Sequence, residues 1–321
     1  MNRQPIIIVA GEPNSIFLEI FFKTIKLNKF KCPLIIIVSK ELLQEQMIKL
    51  GYHYEINTID KNFNKFQKLN NKKINLINVK YKFNKCFDKI SSKSNDYINE
   101  TFEIALKILI KNKLTKLING PISKKYFLKG KILGITEYLA KKTKKNNKVA
   151  MLIFNKRLSV SPITTHLALK NVHKYITKKK IYNHVQLITK FYINKFKKIP
   201  RIAITGLNPH CESNFKNCEE DMTIIPAIKK IRNTNLKVEG PFPADTIFMK
   251  KNLKNFDVII GMYHDQVLTP MKAIFGFDAI NITLGLPFVR ISPDHGPNSS
   301  MLGKNSSNPK SLIEAIKFLD K

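Results

Sequence analysis

Three histidines occupy the same kind of position in the sequence, a few residues or less beyond an apolar segment of strand length. His166 follows VSPITT, His210 follows IAITGLNP and His264 follows VIIGMY. Ligands of open α/β folds bind at the carboxyl ends of the strands, so three imidazoles delivered there could hold a divalent metal and leave positions open for substrate. A lone histidine would more often be structural, but the shared context favours a metal site. Three other histidines lack this context and are interpreted as structural: His53, His173 and His184.

Carboxylates and rare basic residues lie close to these histidines in the sequence. Asp265 directly follows His264, and Asp245 lies in PADT. Either carboxylate could orient a ligand histidine or accept a proton. Arg290 lies in the apolar segment LPFVRIS, where an arginine more often has an anionic partner. The spacing of nine residues between Lys272, Asn281 and Arg290 does not by itself place them on one face of a helix or strand.

The elements that must position these residues alternate between short apolar runs and stretches long enough for a helix. The segment 99–114 spaces its apolar residues as a helix does. Strands alternating with helices predict an α/β protein with parallel or mixed sheets covered on both faces. The Lys- and Asn-rich stretch 57–95 is predicted to be a variable surface region. Strands are predicted at 6–10, 34–38, 117–119, 149–154, 202–206 and 258–261.

The net charge is large, but it comes almost entirely from lysine and is therefore a weak indication of function. Among 321 residues, 56 Lys and Arg against 23 Asp and Glu give +33, yet only five of the basic residues are arginines. Proteins that grip phosphates bidentately favour arginine, and these lysines are interleaved with Asn, Ile and Phe, which also have A/T-rich codons. We interpret the lysines as solvated background and expect no nucleic-acid partner. A lysine-rich nucleic-acid-binding protein remains the minor alternative of another class.

Several other classes find no support in the sequence. The 12 glycines form neither a G-x-G-x-x-G fingerprint nor a P-loop. No apolar run approaches the roughly 20 residues of a membrane-spanning helix, and the N-terminal apolar run is too short for a signal peptide. The four cysteines form no C-x-x-C pair, which predicts free thiols and a cytoplasmic location.

Long motifs around these residues resemble one enzyme family. They are RIAITGLNPH (201–210), GPFPADTIF (240–248), MYHDQVLTPMK (262–272) and NITLGLPFVRISPDHG (281–296). Shorter matches, AGEPNSIFLEI, NGPISKKYF, GITEYLA and SPITTHLAL, extend the likeness over nearly the whole chain. Together they closely resemble the 4-hydroxythreonine-4-phosphate dehydrogenase family of pyridoxal phosphate biosynthesis.

The resemblance implies a homodimer of subunits with two α/β/α domains, similar in plan to isocitrate and isopropylmalate dehydrogenases. The active site is then expected in the cleft between the domains, near the dimer interface. Because chains of this plan often return to their first domain, we expect one domain at 1–130 plus about 285–321. The second, at about 131–284, carries the histidines. The implied cofactors are NAD or NADP, bound without G-x-G-x-x-G, and a divalent metal such as Zn, Mg or Co.

The resemblance also assigns roles to individual residues. Lys272 is implied to supply positive charge or a general base, and Asp245 and Asp265 to orient ligands or transfer protons. Contacts in the cofactor pocket are expected around the segment after Pro293. The implied metal ligands are His166, His210 and His264; the substrate contacts are Thr136, Lys272, Asn281 and Arg290; the cofactor contacts are Asp294, Gly296 and Asn298.

The implied substrate is a small phosphorylated hydroxy-amino acid, 4-phosphooxy-L-threonine. Its C3 hydroxyl is oxidised, and the resulting β-keto acid decarboxylates to 3-amino-2-oxopropyl phosphate. The chain departs from the family pattern in three places: Ile135 replaces a histidine, GEPNSIFLE replaces a Gly-rich segment, and Pro297-Asn298 replaces Thr-Ala. These departures leave open an alternative substrate, another four-carbon hydroxy-acid phosphate such as threonate or erythronate 4-phosphate.

Overall fold

The computed structural model describes residues 3–62, 69–128, 132, 134–145, 148–212, 216–276, 279–293 and 295–321. The chain divides into two compact units. Unit 1 comprises Met1–Ile132 and Pro287–Lys321, and unit 2 comprises Leu133–Leu286. The chain therefore leaves unit 1 once, builds unit 2 and returns to finish unit 1.

Strands and helices alternate along most of the described chain. The strands are β1 Ile6–Val9, β2 Leu34–Val38, β3 Ile56–Thr58, β4 Ile74–Asn78, β5 Lys116–Asn119, β6 Ala150–Phe154, β7 Ser159–Thr164, β8 Ile202–Thr205, β9 Val238–Phe242, β10 Val258–Tyr263, β11 Ile280–Leu284 and β12 Val289–Pro293. The helices are α1 Phe17–Leu27, α2 Lys40–Lys49, α3 Asn95–Lys111, α4 Ile135–Lys142, α5 Lys178–Phe196, α6 Ile225–Arg232, α7 Lys250–Leu253, α8 His264–Phe275 and α9 Lys310–Leu319.

Unit 1 is built on strands in the order β3-β4-β2-β1-β5-β12, all paired in parallel. Its central strand β1 has the sequence IIIV, and all four side chains are buried. Continuous apolar character of this kind is typical of a parallel strand that is covered on both faces. Helices α3 and α1 contribute buried apolar faces that include Phe17, Phe22 and Phe102.

The prediction of a surface region at 57–95 is wrong for β4, which is an interior strand of unit 1. Its sequence INLIN has asparagine at the second and fifth positions and isoleucine or leucine at the others, and the first four residues are buried. Asn75 is tolerated there because its side chain is hydrogen-bonded. Its Nδ2 donates to the backbone oxygens of Leu34 and Asn70, and its Oδ1 accepts from Asn57 Nδ2. A buried amide with satisfied polar groups costs little, so a polar composition did not exclude a core strand.

Unit 2 contains strands in the order β11-β6-β7-β10-β8-β9. The strands β7, β10, β8 and β9 are parallel, while β6 pairs antiparallel with both β11 and β7. This mixed sheet places the three strands that precede the predicted metal-binding histidines side by side, with β10 in the middle. Apolar residues of β7, β10 and α8 pack together beside it, among them Val160, Ile259, Val267 and Met271.

Two findings bear on the class of protein. In the described ranges, no helix combines the length and apolar character required to cross a bilayer. All four cysteines are free thiols, and three of them are buried: Cys32, Cys86 and Cys218.

Candidate active site

The paired histidines His166 and His264 lie at the carboxyl edge of the unit 2 sheet. Strands β7 and β10 run in parallel with Thr164 level with Tyr263. His264 begins α8 immediately after β10, and His166 stands two residues beyond β7. Their ring centroids are 5.8 Å apart, with an angle of 37° between the planes. Parallel pairing therefore brings together two imidazoles that are almost a hundred positions apart in the sequence.

A carboxylate fixes the orientation of the His264 ring. His264 Nδ1 and Asp265 Oδ1 are hydrogen-bonded at 2.6 Å. A carboxylate accepts hydrogen bonds, so this contact places the imidazole proton on Nδ1 and leaves Nε2 as the ring nitrogen with a lone pair. Protein histidines that bind metals commonly have this arrangement.

His166 is held from the other side by helix α4. Its backbone has a φ of 42°, in the left-handed region that non-glycine residues rarely occupy. The preceding Thr165 donates from Oγ1 to Glu137 Oε1 at 3.0 Å. Glu137 lies in the first turn of α4, and the sequence interpretation assigned it no role.

The structure does not bring the predicted third ligand, His210, into the same group. Among the described residues, no three His, Cys, Asp or Glu side chains are close enough to hold a metal ion. His210 lies five residues after the end of β8, in the turn Pro209–Cys211; it is exposed and has a left-handed φ of 57°. The three-histidine site therefore stays a prediction, of which the structure shows two adjacent rings.

The segment between β8 and His210 is secured by a buried carboxylate, Glu220. Its Oε1 accepts from the backbone amides of Leu207 and Asn208 at 2.7 and 2.9 Å, and its Oε2 accepts from Asn208 Nδ2 at 2.7 Å. Burial alone would raise the pKa of Glu220, but these hydrogen bonds outweigh it and hold the pKa below its ordinary value. Glu220 therefore acts as an ionised anchor for the segment that leads to His210.

The three strand ends are also linked to one another by side chains. Gln266 Oε1 accepts from Thr205 Oγ1 and from the Met262 amide, and Gln266 Nε2 donates to the Gly206 carbonyl. Thr164 Oγ1 donates to the Met262 carbonyl at 2.7 Å. These bonds link the ends of β7, β10 and β8 to one another.

Asn281 lies on strand β11, and Thr136 contacts the same strand. Thr136 is buried, and its hydroxyl is 3.3 Å from the hydroxyl of Thr283. Thr283 and Asn281 are two residues apart on β11 and so share a face of the strand. Asn281 Nδ2 contacts Met151 Sδ at 3.5 Å. Its Oδ1 is buried and has no hydrogen-bond partner among the described residues. This face of β11 therefore presents a buried acceptor that a ligand could satisfy.

Lys272 and Asp245 are exposed on the elements next to the histidines. Lys272 lies in the last turn of α8, about 12 Å along the helix axis from His264. Asp245 follows β9, the neighbour of β8. Burial raises the pKa of the Cys211 thiol, and the negative charges of Glu220, Asp245 and Glu212 raise it further. Asp245 therefore belongs to the surroundings of the His210 turn.

Arg290 belongs to unit 1, where it is fully buried on β12. Its Nε donates to Asn119 Oδ1 at 2.6 Å, and Asn119 lies at the end of the adjacent strand β5. In this structure the guanidinium is buried and its Nε is bonded to an amide oxygen; an anionic ligand for this arginine stays a prediction.

The predicted cofactor contacts lie in the segment after β12, which also belongs to unit 1. Asp294 lies outside the described residues, while Gly296 and Asn298 are exposed. The Ile16 amide donates to the Pro297 carbonyl at 3.1 Å, and the ring of Phe17 stacks on that of His295. Two of the three departures from the family pattern, GEPNSIFLE and Pro297-Asn298, are therefore in direct contact within unit 1.

Comparison with known proteins identifies the same family as the sequence motifs. A family model described as pyridoxal phosphate biosynthetic protein PdxA matches residues 29–319. The 4-hydroxythreonine-4-phosphate dehydrogenase of Sulfurihydrogenibium sp. (strain YO3AOP1) is 37% identical over 316 residues, 97% of this chain and 96% of the relative.

Solved structures agree on the fold. A 4-hydroxythreonine-4-phosphate dehydrogenase from Klebsiella pneumoniae superposes with a TM-score of 0.84 at 24% identity, covering 98% of each chain. The isocitrate dehydrogenase of Methylococcus capsulatus gives a TM-score of 0.51 at 10% identity, covering 98% of this chain and 84% of that one. These likenesses confirm the predicted α/β class and its similarity to the isocitrate dehydrogenase plan.

Proposed function

We propose that this chain, which belongs to the family of the pyridoxal phosphate biosynthetic protein PdxA, oxidises the C3 hydroxyl of 4-phosphooxy-L-threonine with NAD or NADP. The product, 2-amino-3-oxo-4-phosphooxybutanoate, is a β-keto acid that loses carbon dioxide to give 3-amino-2-oxopropyl phosphate. The observation that carries the proposal is the edge of the unit 2 sheet, where His166 and His264 stand side by side at the ends of neighbouring parallel strands.

The donor set at this edge fits a divalent ion such as Zn, Mg or Co. Two imidazoles are adjacent, and the ring of His264 already has its Nδ1 engaged by a carboxylate. His166, His264 and His210 would hold the ion. Bound there, the ion would supply Lewis acidity to the hydroxyl that is oxidised.

Other side chains of this chain would bind the substrate and accept its protons. The buried Oδ1 of Asn281 lacks a donor among the described residues, and a substrate hydroxyl or ammonium group would satisfy it. Thr136, which contacts the same strand, would fix the orientation of that group. The exposed carboxylates Asp245 and Asp265 are proposed as proton acceptors beside the histidines. Lys272 is proposed to add positive charge for the substrate, or a general base.

The wider setting belongs to the same proposal. Gly296 and Asn298 are proposed to contact the nicotinamide cofactor. Apart from its two chain neighbours, no described residue has an atom within 4 Å of the position that a Gly296 side chain would take. Arg290 is proposed to contact the substrate and Asp294 the cofactor, as the family pattern implies. A homodimer is proposed, to be tested by light scattering. Four free thiols are consistent with a reducing compartment such as the cytoplasm.

The test is NADH formation by purified protein from 4-phosphooxy-L-threonine, before and after metal removal. We expect activity that is lost on chelation and restored by one of the three ions. His166→Asn and His264→Asn should lower kcat at least 100-fold, whereas His173→Asn, a change at an exposed histidine of the same unit, should not. Full activity after metal removal would contradict the metal site. Turnover of threonate or erythronate 4-phosphate in place of the amino acid would favour the alternative substrate.

A further inference from the structure

We propose that Glu137 is a positioning residue that orients His166 for metal binding. The inference rests on the proposed function, because it concerns the same metal site. Glu137 lies in α4 and His166 follows β7, so the two residues belong to different elements of unit 2. Glu137 is linked to His166 in two ways: by a hydrogen bond to the preceding residue, Thr165, and by a space beside Gly134 that both side chains line.

The first link is a hydrogen bond to the residue before His166. Glu137 Oε1 accepts a hydrogen bond of 3.0 Å from Thr165, the residue directly before His166. The backbone of His166 is in the left-handed region, a conformation that a non-glycine residue keeps only when its surroundings enforce it. A bond from Thr165 to a fixed carboxylate supplies that constraint at the neighbouring residue.

The second link concerns the imidazole ring. A Cβ atom built on Gly134 would lie 2.8 Å from Glu137 Oε2 and 3.0 Å from both Cε1 and Nδ1 of His166. The carboxylate oxygen and the Cε1–Nδ1 edge of the ring therefore line the same small space, which is left open because residue 134 is a glycine. Glu137 Oε2 is buried and has no hydrogen-bond partner among the described residues. A buried carboxylate oxygen requires a donor, and an N–H on His166 Nδ1, at the ring edge that lines the same space, would supply one.

The same arrangement already exists at the neighbouring histidine. His264 Nδ1 is bonded to Asp265, which leaves Nε2 for a metal. With Glu137 on the Nδ1 side of His166, both imidazoles would present Nε2. Carboxylates in this position fix the tautomer and raise the basicity of the ligand nitrogen, and their loss typically lowers metal affinity 10- to 100-fold.

Glu137 also has a possible competing role, charge balance with Lys180 on α5. Burial lowers the pKa of Lys180, and the negative charge of Glu137 opposes that shift. A residue that served only to balance this charge would affect the stability of unit 2 and leave metal affinity unchanged. Metal affinity, measured on protein that remains folded, therefore separates the two roles.

The test is the titration of metal-free protein with Co²⁺ alone, followed by its visible absorption, which requires neither substrate nor turnover. Glu137→Gln keeps the size of the side chain and an acceptor for Thr165, but it removes the ionised oxygen. We expect its Kd for Co²⁺ to rise 10- to 100-fold. Glu239→Gln, an exposed carboxylate on β9 of the same unit, is the matched control and should bind as the wild type does.

A second variant covers the case in which Glu137→Gln does not fold. Thr165→Val leaves the carboxylate in place and removes only the 3.0 Å bond, and we expect a rise in Kd of at least threefold. A Kd within twofold of wild type in the folded variants would overturn the role of Glu137. Failure of the wild-type protein to bind Co²⁺ would instead contradict the proposed metal site itself.

Discussion

Glu12 offers a sharp test of the electrostatics of unit 1. It lies just beyond β1 and is only 2% exposed. Its Oε2 accepts from Ser94 Oγ at 3.2 Å, and its Oε1 accepts a long bond of 3.4 Å from the Asn14 amide. Burial raises the pKa of Glu12 from 4.5 to about 6, because these two contacts compensate only part of the lost hydration.

The size of the effect follows from that shift. A change of about 1.5 pKa units corresponds to about 2 kcal/mol. The folded state holds the proton more tightly than the unfolded state, so the stabilisation is complete below about pH 4.5 and disappears as the pH rises through about 6. Glu12→Gln stays neutral at every pH. The variant should therefore gain about 2 kcal/mol relative to wild type between pH 4.5 and pH 7.5.

The measurement is urea unfolding of both proteins across this pH range, with Glu45→Gln, an exposed carboxylate on α2, as the control. Each variant is compared with wild type at each pH, so a constant penalty from altered hydrogen bonding cancels. A difference in unfolding free energy between Glu12→Gln and wild type that does not change with pH would contradict the raised pKa of Glu12.

Three further predictions concern unit 2. Gly134→Ala would press a methyl group against Glu137 and His166, so we expect a loss of about 1–3 kcal/mol in stability and weaker Co²⁺ binding; an unchanged melting temperature and Kd would contradict this packing. Glu220→Gln should lower the unfolding free energy at pH 7 by about 2 kcal/mol, and a loss no larger than that of the exposed Glu212→Gln would contradict the anchor. Burial lowers the pKa of His184 to about 3, so wild type should lose about 2 kcal/mol between pH 6.5 and 5 as the unfolded state takes up a proton; His184→Phe should flatten this slope in urea unfolding, and an equal slope would count against it.

Much of the sheet edge was predictable from sequence because strand pattern and histidine position are local features. The runs IIIV, LIIIV and VIIGMY are strands in the structure, and His264 and His166 follow their strands within two residues. The carboxyl ends of parallel strands meet at one edge, so residues this close to the strand ends were bound to converge once the strands were neighbours.

The remaining features depend on contacts that spacing does not encode. Thr165 and Glu137 are 28 residues apart, and Gln266 joins Thr205 across 61. His210 was predicted from the same pattern as the other two histidines, but it lies five residues beyond its strand, in a turn whose path the strand pattern does not determine. The burial of Arg290 likewise depends on which way its strand faces, and one arginine in an apolar segment does not determine that direction.

Local composition also misled where polar groups are satisfied internally. The asparagines of β4 look like surface residues in sequence, yet Asn75 is buried and hydrogen-bonded to the backbone of Leu34 and Asn70 and to the side chain of Asn57. Only the assembled sheet shows those partners.

We propose that the sheet edge with His166 and His264 supports metal-dependent oxidation of 4-phosphooxy-L-threonine. The most direct test is the rate of NADH formation by metal-free protein before and after the addition of Co²⁺, with substrate and NAD in excess. We predict negligible formation before the addition and turnover after it. Equal rates under the two conditions would contradict the claim.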